Sequence, residues 1–376
     1  MIFHNSTIII TAIPSSCFCF QRNTGGILKR KNSFDFIRLV AASLVVIDHA
    51  YVLTGNGHLE FGGIAPGTLG VWVFFILSGY LIAISWDQYP RFNVFFAKRA
   101  LRIFPGLAVN LLLSVIVVGI FFSDYPFKQF IASPQSVEYL NNIFLYDRVT
   151  TMPGVFTHNP LPNSVNASLW TLAYEFTMYI AVALIGAFGI YKRARPLVFW
   201  LVLFVLETII VTVGVSHFDY RMFYLEFDRL IMLALMFFSG IMAYKYAKRI
   251  TLSYRAGWAA LAIFIIASFL LPTFTTLFAA TLLAYALFAL GRSPRFSIPE
   301  YIGDLSYGIY IYSFPIQQSI YAITGTHSML KMTVASYGLS LVAAWLSWHL
   351  IEKRALLLKS KIKLHHYPLK QTDTAW

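Results

Sequence analysis

Residues 34–53 read FDFIRLVAASLVVIDHAYVL. Twenty mostly apolar residues make a helix of about 30 Å, the thickness of a bilayer core. This run carries two basic side chains, Arg38 and His49. At 100° per residue, eleven positions close three turns with about 20° to spare. Both side chains therefore share one helix face, about 16 Å apart along the axis. An ionisable residue inside an apolar span is costly and marks a functional site by default. One face thus presents a cation near the helix start and an acid–base group deep in the bilayer. Such a face suits a ligand that is long, anionic at one end and reactive at the other.

The rest of the chain repeats the membrane signal. It has 376 residues, 58% hydrophobic and only 12% charged, with 34 Phe and 22 Tyr. A soluble domain carries roughly twice that charge fraction. Apolar runs of near-spanning length predict about ten membrane helices, at about 34–54, 68–86, 103–122, 168–190, 197–216, 229–246, 256–271, 273–290, 304–323 and 333–351. Pro272 divides the seventh from the eighth, and those two alternatively form one re-entrant unit. With the amino terminus in the cytoplasm, 24 of the 29 Lys/Arg fall on inner segments. Lys128, Arg148, Arg221, Arg229 and Lys331 are left outside. This is the positive-inside pattern, and it predicts an all-α polytopic protein with both termini cytoplasmic. The formal charge of +13 is then a property of the inner loops, and no nucleic-acid partner is expected.

Three segments are expected: a disordered N-terminal tail (1–32), a membrane domain (33–354) and a basic C-terminal tail (355–376). No basic n-region precedes the apolar run IIITAI, so no secretory signal is read there. Cys17 and Cys19 are the only cysteines and complete no metal-ligand spacing. The longest outer loop, about 123–167, is long enough to be functional.

Within the spans, few residues are suited to chemistry. His49 lies about 22 Å into the bilayer from the cytoplasmic side. Glu175, in SLWTLAYEFTMYI, lies about 10 Å below the outer surface, hence about 20 Å from the inner one. Equal depth permits a carboxylate–imidazole pair, which raises the basicity of the histidine. The alternative is a histidine bonded to a neighbouring helix. Asp48 faces another direction from His49. Arg99 and Arg102, in FAKRALRIFPG, share a face at the inner surface. Forked guanidiniums there suit phosphate groups, or serve as ordinary positive-inside anchors, and Lys98 is a weaker version. In GVWVFFILSGYLI, Gly70, Ser78 and Gly79 favour close helix packing. Ser78 lacks a nucleophile-elbow context. YIGDLSYGIYIYSFPI either lines a polar cavity or packs. Glu207 is a further intramembrane carboxylate with no obvious partner. No P-loop, dinucleotide fingerprint, zinc spacing or haem motif occurs, so no metal is expected.

Read together, these residues resemble the acyltransferase-3 family of integral membrane acyltransferases, over about Asp35 to Arg354. The pieces occur in order: FDFIRLVAASLVVIDH with Arg38 and His49, GVWVFFILSGYLI, the RxxR of Arg99 and Arg102 followed by IFP, SLWTLAYE with Glu175, then LSYGIYIY and IEKR. The resemblance implies a bacterial inner-membrane enzyme that transfers an acyl group from cytoplasmic acyl-CoA, commonly acetyl-CoA. The acceptor would be a hydroxyl of a lipid-linked or exported carbohydrate. It also implies roles: Arg99 and Arg102, assisted by Arg38, for the CoA phosphates, and His49 with Glu175 for catalysis. His49 acts either as a general base or through an acyl-histidine. Two departures stand out. Ser313 occupies a position where many members have histidine, and no fused extracellular hydrolase-like domain follows the last span, so transfer through a carrier would need a separate extracytoplasmic partner. A glycan transporter or flippase with the same buried polar groups is the alternative.

Overall fold

The computed structural model describes residues 32–188, 196–214, 221–222, 225–299 and 301–358. The expectations for Cys17, Cys19 and most of both tails lie outside these residues.

The main helices are α1 (Phe34–Leu53), α2 (Pro66–Gln88), α3 (Phe92–Leu113), α4 (Trp170–Ala187), α5 (Pro196–Val213), α6 (Phe227–Lys245), α7 (Tyr254–Leu270), α8 (Pro272–Gly291), α9 (Ser306–Thr324) and α10 (Met329–Ser347). A π-turn at Ser114–Gly119 prolongs α3 to Phe122, and another at Trp348–Glu352 prolongs α10 to Leu357. Eight helices among the described residues, α1–α6, α8 and α10, are long and apolar enough to cross a membrane. Of the other two predicted spans, α7 has 17 residues, and α9 carries Gln317 and Gln318. Helices satisfy their own backbone groups, which lipid cannot do. The protein is an all-α polytopic membrane protein.

Close packing in lipid needs small residues where helices cross. Gly79 of α2 and Gly240 of α6 supply this. A Cβ on Gly79 would lie 1.8 Å from the Phe237 carbonyl oxygen, and one on Gly240 would lie 1.9 Å from that of Ile76. Gly70 meets α1 in the same way, 2.4 Å from the Ala41 oxygen. By contrast, α5 shows lipid a row of apolar side chains, including Leu201, Val205 and Ile209. Glu207 is its one buried residue and faces Thr276.

A proline organises the interior. Pro315 has no N–H to offer the Ile311 carbonyl one turn earlier in α9. The Asn110 and Asn166 carboxamides donate to that oxygen instead, at 3.0 and 2.8 Å. Asn159 donates to the backbone and side-chain oxygens of Gln318. Gln318 returns bonds to the carbonyls of Leu161 and Ser164. The loop before α4 is thereby drawn down into the bundle, where Val155, Asn159, Val165 and Asn166 are buried. As a result α4 starts well below the end of α2. Its Thr171 bonds Tyr310, whose ring packs on Phe74, about 12 Å along α2 from Pro66.

Candidate functional site

The candidate side chains form two groups, at different depths. The first gathers near the start of α1 and midway along α3. Asp304, in the turn before α9, receives Arg38 Nη1 at 2.7 Å and Arg102 Nη2 at 2.5 Å on the same oxygen. Its other oxygen takes the Ser306 hydroxyl at 2.6 Å. Arg102 also reaches Glu352 at 3.5 Å, and Ser347 donates to the second Glu352 oxygen. The rings of Tyr307 and Trp348 flank the Arg102 guanidinium at 5.6 and 5.7 Å. The turn itself depends on Gly303, which has φ +82° with the Trp348 indole where a Cβ would project. Burial disfavours the charged Asp304 carboxylate, but the Arg38 and Arg102 guanidiniums outweigh it and hold the carboxyl below its usual range. Two cations thus face two anions, and four chain segments are tied together.

Arg99 lies one turn earlier on α3 and is held differently. Nη2 reaches the Ser85 hydroxyl at 3.3 Å, while Nε is buried without a hydrogen-bond partner among the described residues. The guanidinium carbon is 6.0 Å from both the Phe95 and Tyr179 rings. Tyr179 donates a short hydrogen bond to Glu175, and Ser78 donates to the same carboxylate oxygen at 3.0 Å. Glu175 therefore belongs with the arginines.

His49 stands apart. Its ring meets the Phe314 ring edge-on at 5.0 Å, and Nδ1 is buried without a partner among the described residues. The neighbouring Asp48 accepts from the Gly67 N–H, where a carboxylate favours the start of α2. Ser78, the partner of Glu175, is eleven residues further along α2 than Gly67. His49 and Glu175 are thus about 16 Å apart along the bundle axis. No hydrogen bond or ion pair joins them among the described residues. The equal depth expected from sequence fails because the preceding loop descends and starts α4 low. Ser313 is fully buried, with no partner for its hydroxyl among the described residues.

Sequence reasoning overlooked Asp304, Glu352 and Tyr179. Asp304 lies in the stretch YIGDLSYG, two residues before a helix start, and Glu352 in IEKR. In each, an acid beside a helix end was the available signal. Tyr179 carried none beyond its i+4 spacing from Glu175.

The acyltransferase domain family matches residues 31–349, which is most of the chain. The chain belongs to the acyltransferase-3 family. It is therefore a multi-pass membrane acyltransferase. Among similar proteins, an O-acetyl transferase of Shigella phage Sf6 is 30% identical over 352 residues, 89% of this chain and 98% of the phage protein. Nodulation protein 10 of Rhizobium leguminosarum bv. viciae is 28% identical over 88% of this chain and 95% of its own length. Peptidoglycan O-acetyltransferase OatA of Listeria monocytogenes is 29% identical over 43% of this chain and 25% of its own length. No solved structure gives a significant match.

Proposed function

We propose that this acyltransferase is an O-acetyltransferase of a bacterial cytoplasmic membrane, with both termini cytoplasmic. It moves acetyl from cytoplasmic acetyl-CoA to a hydroxyl of a lipid-linked or exported saccharide. The observation that carries this reading is α1 itself. One unbroken helix bears Arg38 inside the arginine group and His49 about 16 Å further on, along the same face. The donor substrate has phosphates at one end and a thioester at the other, and it would lie along that face. Arg99, with a buried donor to spare, meets the phosphates. Arg38 and Arg102 add positive potential, and Glu175 orients Arg99 through Tyr179. The relatives named as O-acetyl transferases support the choice of acetyl.

The chemistry falls to His49. An alcohol attacks a thioester slowly until a base takes its proton. His49 accepts that proton as the hydroxyl oxygen bonds to the acetyl carbon. The C–S bond breaks, and the proton passes to the sulfur of the departing CoA thiol. Phe314 meets the imidazole edge-on, and the neutral ring is the form that accepts a proton.

The test compares surface polysaccharide from the wild type, a deletion strain and the deletion complemented with His49→Ala, each by NMR at matched membrane levels. Loss of one O-acetyl resonance in the last two strains is expected. In vitro, His49→Ala lowers the transfer rate about 10²–10⁴-fold. Unchanged acetylation would overturn the proposal, and failed glycan export with transfer chemistry intact would favour a transporter.

A further inference from the structure

Where α5 starts and α6 ends, a cavity of about 220 Å³ lies between α5, α6, α8 and the turn that follows α6. Alanines hollow it out: Ala243 and Ala247 on one side, Ala280 and Ala284 on the other, each pair about one turn apart. A π-turn at Ala279–Leu283 interrupts the regular winding of α8 at the same level.

The wall offers a polar ligand no spare side-chain donor. It has four among the described residues, and each is used within the protein. Trp200 Nε1 donates to the Ser239 hydroxyl at 2.8 Å, which in turn donates to the Leu235 carbonyl. Thr281 donates to the Leu277 carbonyl and Tyr285 to that of Thr251, both at 2.9 Å. A polar occupant would lose hydration that this wall does not replace. An apolar cavity of about 150 Å³ already stays dry and takes a benzene-sized hydrocarbon. This larger one suits a longer piece of hydrocarbon.

Its length and its mouth say which. From Ala280 to Phe288 is about 12 Å along α8. One leaflet of a 30 Å hydrocarbon core is about 15 Å deep, so the cavity covers most of a leaflet. Leu197 and Ile250 line it and are themselves exposed, and Leu197 continues the apolar row that α5 turns to lipid. The cavity therefore opens sideways onto the surface that the bilayer covers. On the α1 side Phe288 closes it, packed against Phe34 and Tyr80. The bilayer supplies one ligand of this description in excess of any other, a phospholipid acyl chain. The helix beside the mouth has use for such a filler: α5 buries only Glu207, about two turns beyond Trp200.

We propose that this cavity holds one acyl chain of a bilayer phospholipid, and that the chain packs α5 against α6 and α8. The site is separate from the residues assigned to acyl transfer, so either reading can fail without the other.

Brominated lipid tests it, because bromine quenches an indole only at contact. Full-length protein is reconstituted in phospholipid brominated on its acyl chains, then diluted into an excess of unlabelled lipid. Loosely surrounding lipid exchanges away, whereas a held chain stays. The Trp200 signal, taken as wild type minus Trp200→Phe, should remain quenched. That of Trp345, an exposed indole on α10, should recover when taken in the same way. Protein purified in detergent should retain an equimolar amount of phospholipid by mass spectrometry. Ala243→Leu fills the cavity and should abolish both the persistent quenching and the retained lipid. Ala284→Val fills it more mildly and serves if the leucine disturbs folding. Val205→Leu, on the lipid face of α5, should change neither readout. Recovery of the Trp200 signal alongside that of Trp345 in the wild type would overturn the inference. So would retention of a polyprenyl lipid, or of detergent alone, in place of phospholipid. Quenching and retention that survive both filling variants would overturn it as well.

Discussion

Arg99 and Arg102 are one turn apart on the same helix, yet their surroundings differ in kind. Arg102 is paired with two acids: Asp304 and Glu352 each take a donor, and two aromatic rings flank it. Arg99 is buried and donates to the Ser85 hydroxyl, with one nitrogen unpartnered among the described residues and its nearest carboxylate reached through Tyr179. Closed charge networks tie helices together, while a buried donor left over has capacity for a further partner. A doublet that reads as one phosphate clamp in sequence thus divides into a half closed by partners and a half with a donor left over, the half to which the proposed function gives the phosphates.

The largest effect should come from opening the closed half. Asp304→Ala leaves two buried guanidiniums without their shared carboxylate, and a loss of about 3–5 kcal/mol of stability is expected. Thermal unfolding in detergent reads this as a sharp fall in midpoint; an unshifted midpoint would refute the structural assignment of Arg102. Arg99→Gln should do the converse. Transfer with limiting acetyl-CoA should fall about 10–100-fold through a raised KM for the donor, in line with about 1.5–3 kcal/mol for a hydrogen bond to a charged group. Its thermal midpoint should stay near wild type. A KM unchanged by Arg99→Gln and raised by Arg102→Gln would reverse the comparison.

Smaller effects sharpen it. Tyr179→Phe removes the hydroxyl between Arg99 and Glu175 and should cost about 1 kcal/mol in donor binding, several-fold in KM, because the carboxylate keeps its Ser78 bond. Acid should act on the closed half. The Asp304 carboxyl titrates lower folded than unfolded, so its contribution is complete above about pH 4, the unfolded value, and fades as pH falls towards the lowered folded value. The midpoint difference between wild type and Asp304→Asn should hold steady from pH 7 to about 5 and shrink below 4. A difference that shrinks between pH 7 and 5 would contradict the arrangement.

Much of the candidate site was legible because it is local. Arg38 and His49 share a face by helix periodicity, and Arg99 and Arg102 do so by their spacing of three. Gly70 and Gly79 take the packing positions that their size suggested. What was illegible depends on contacts across the chain. Arg102 and Asp304 are 202 residues apart, and no pattern around either residue announces the other.

The sequence by itself determined the helical spans, the asymmetry of basic residues, and the separation of cation and imidazole along α1. These follow from hydropathy and from a rise of about 1.5 Å per residue, which hold whatever the helix packs against. Only the tertiary structure decided which acid serves which base. Pro315 strips a donor from α9, Asn166 supplies one from the loop before α4, and that bond lowers α4 until Glu175 meets Ser78 and Tyr179 rather than His49. A helix's depth is set by where its loop is anchored, and here the anchor is a carbonyl 145 residues away.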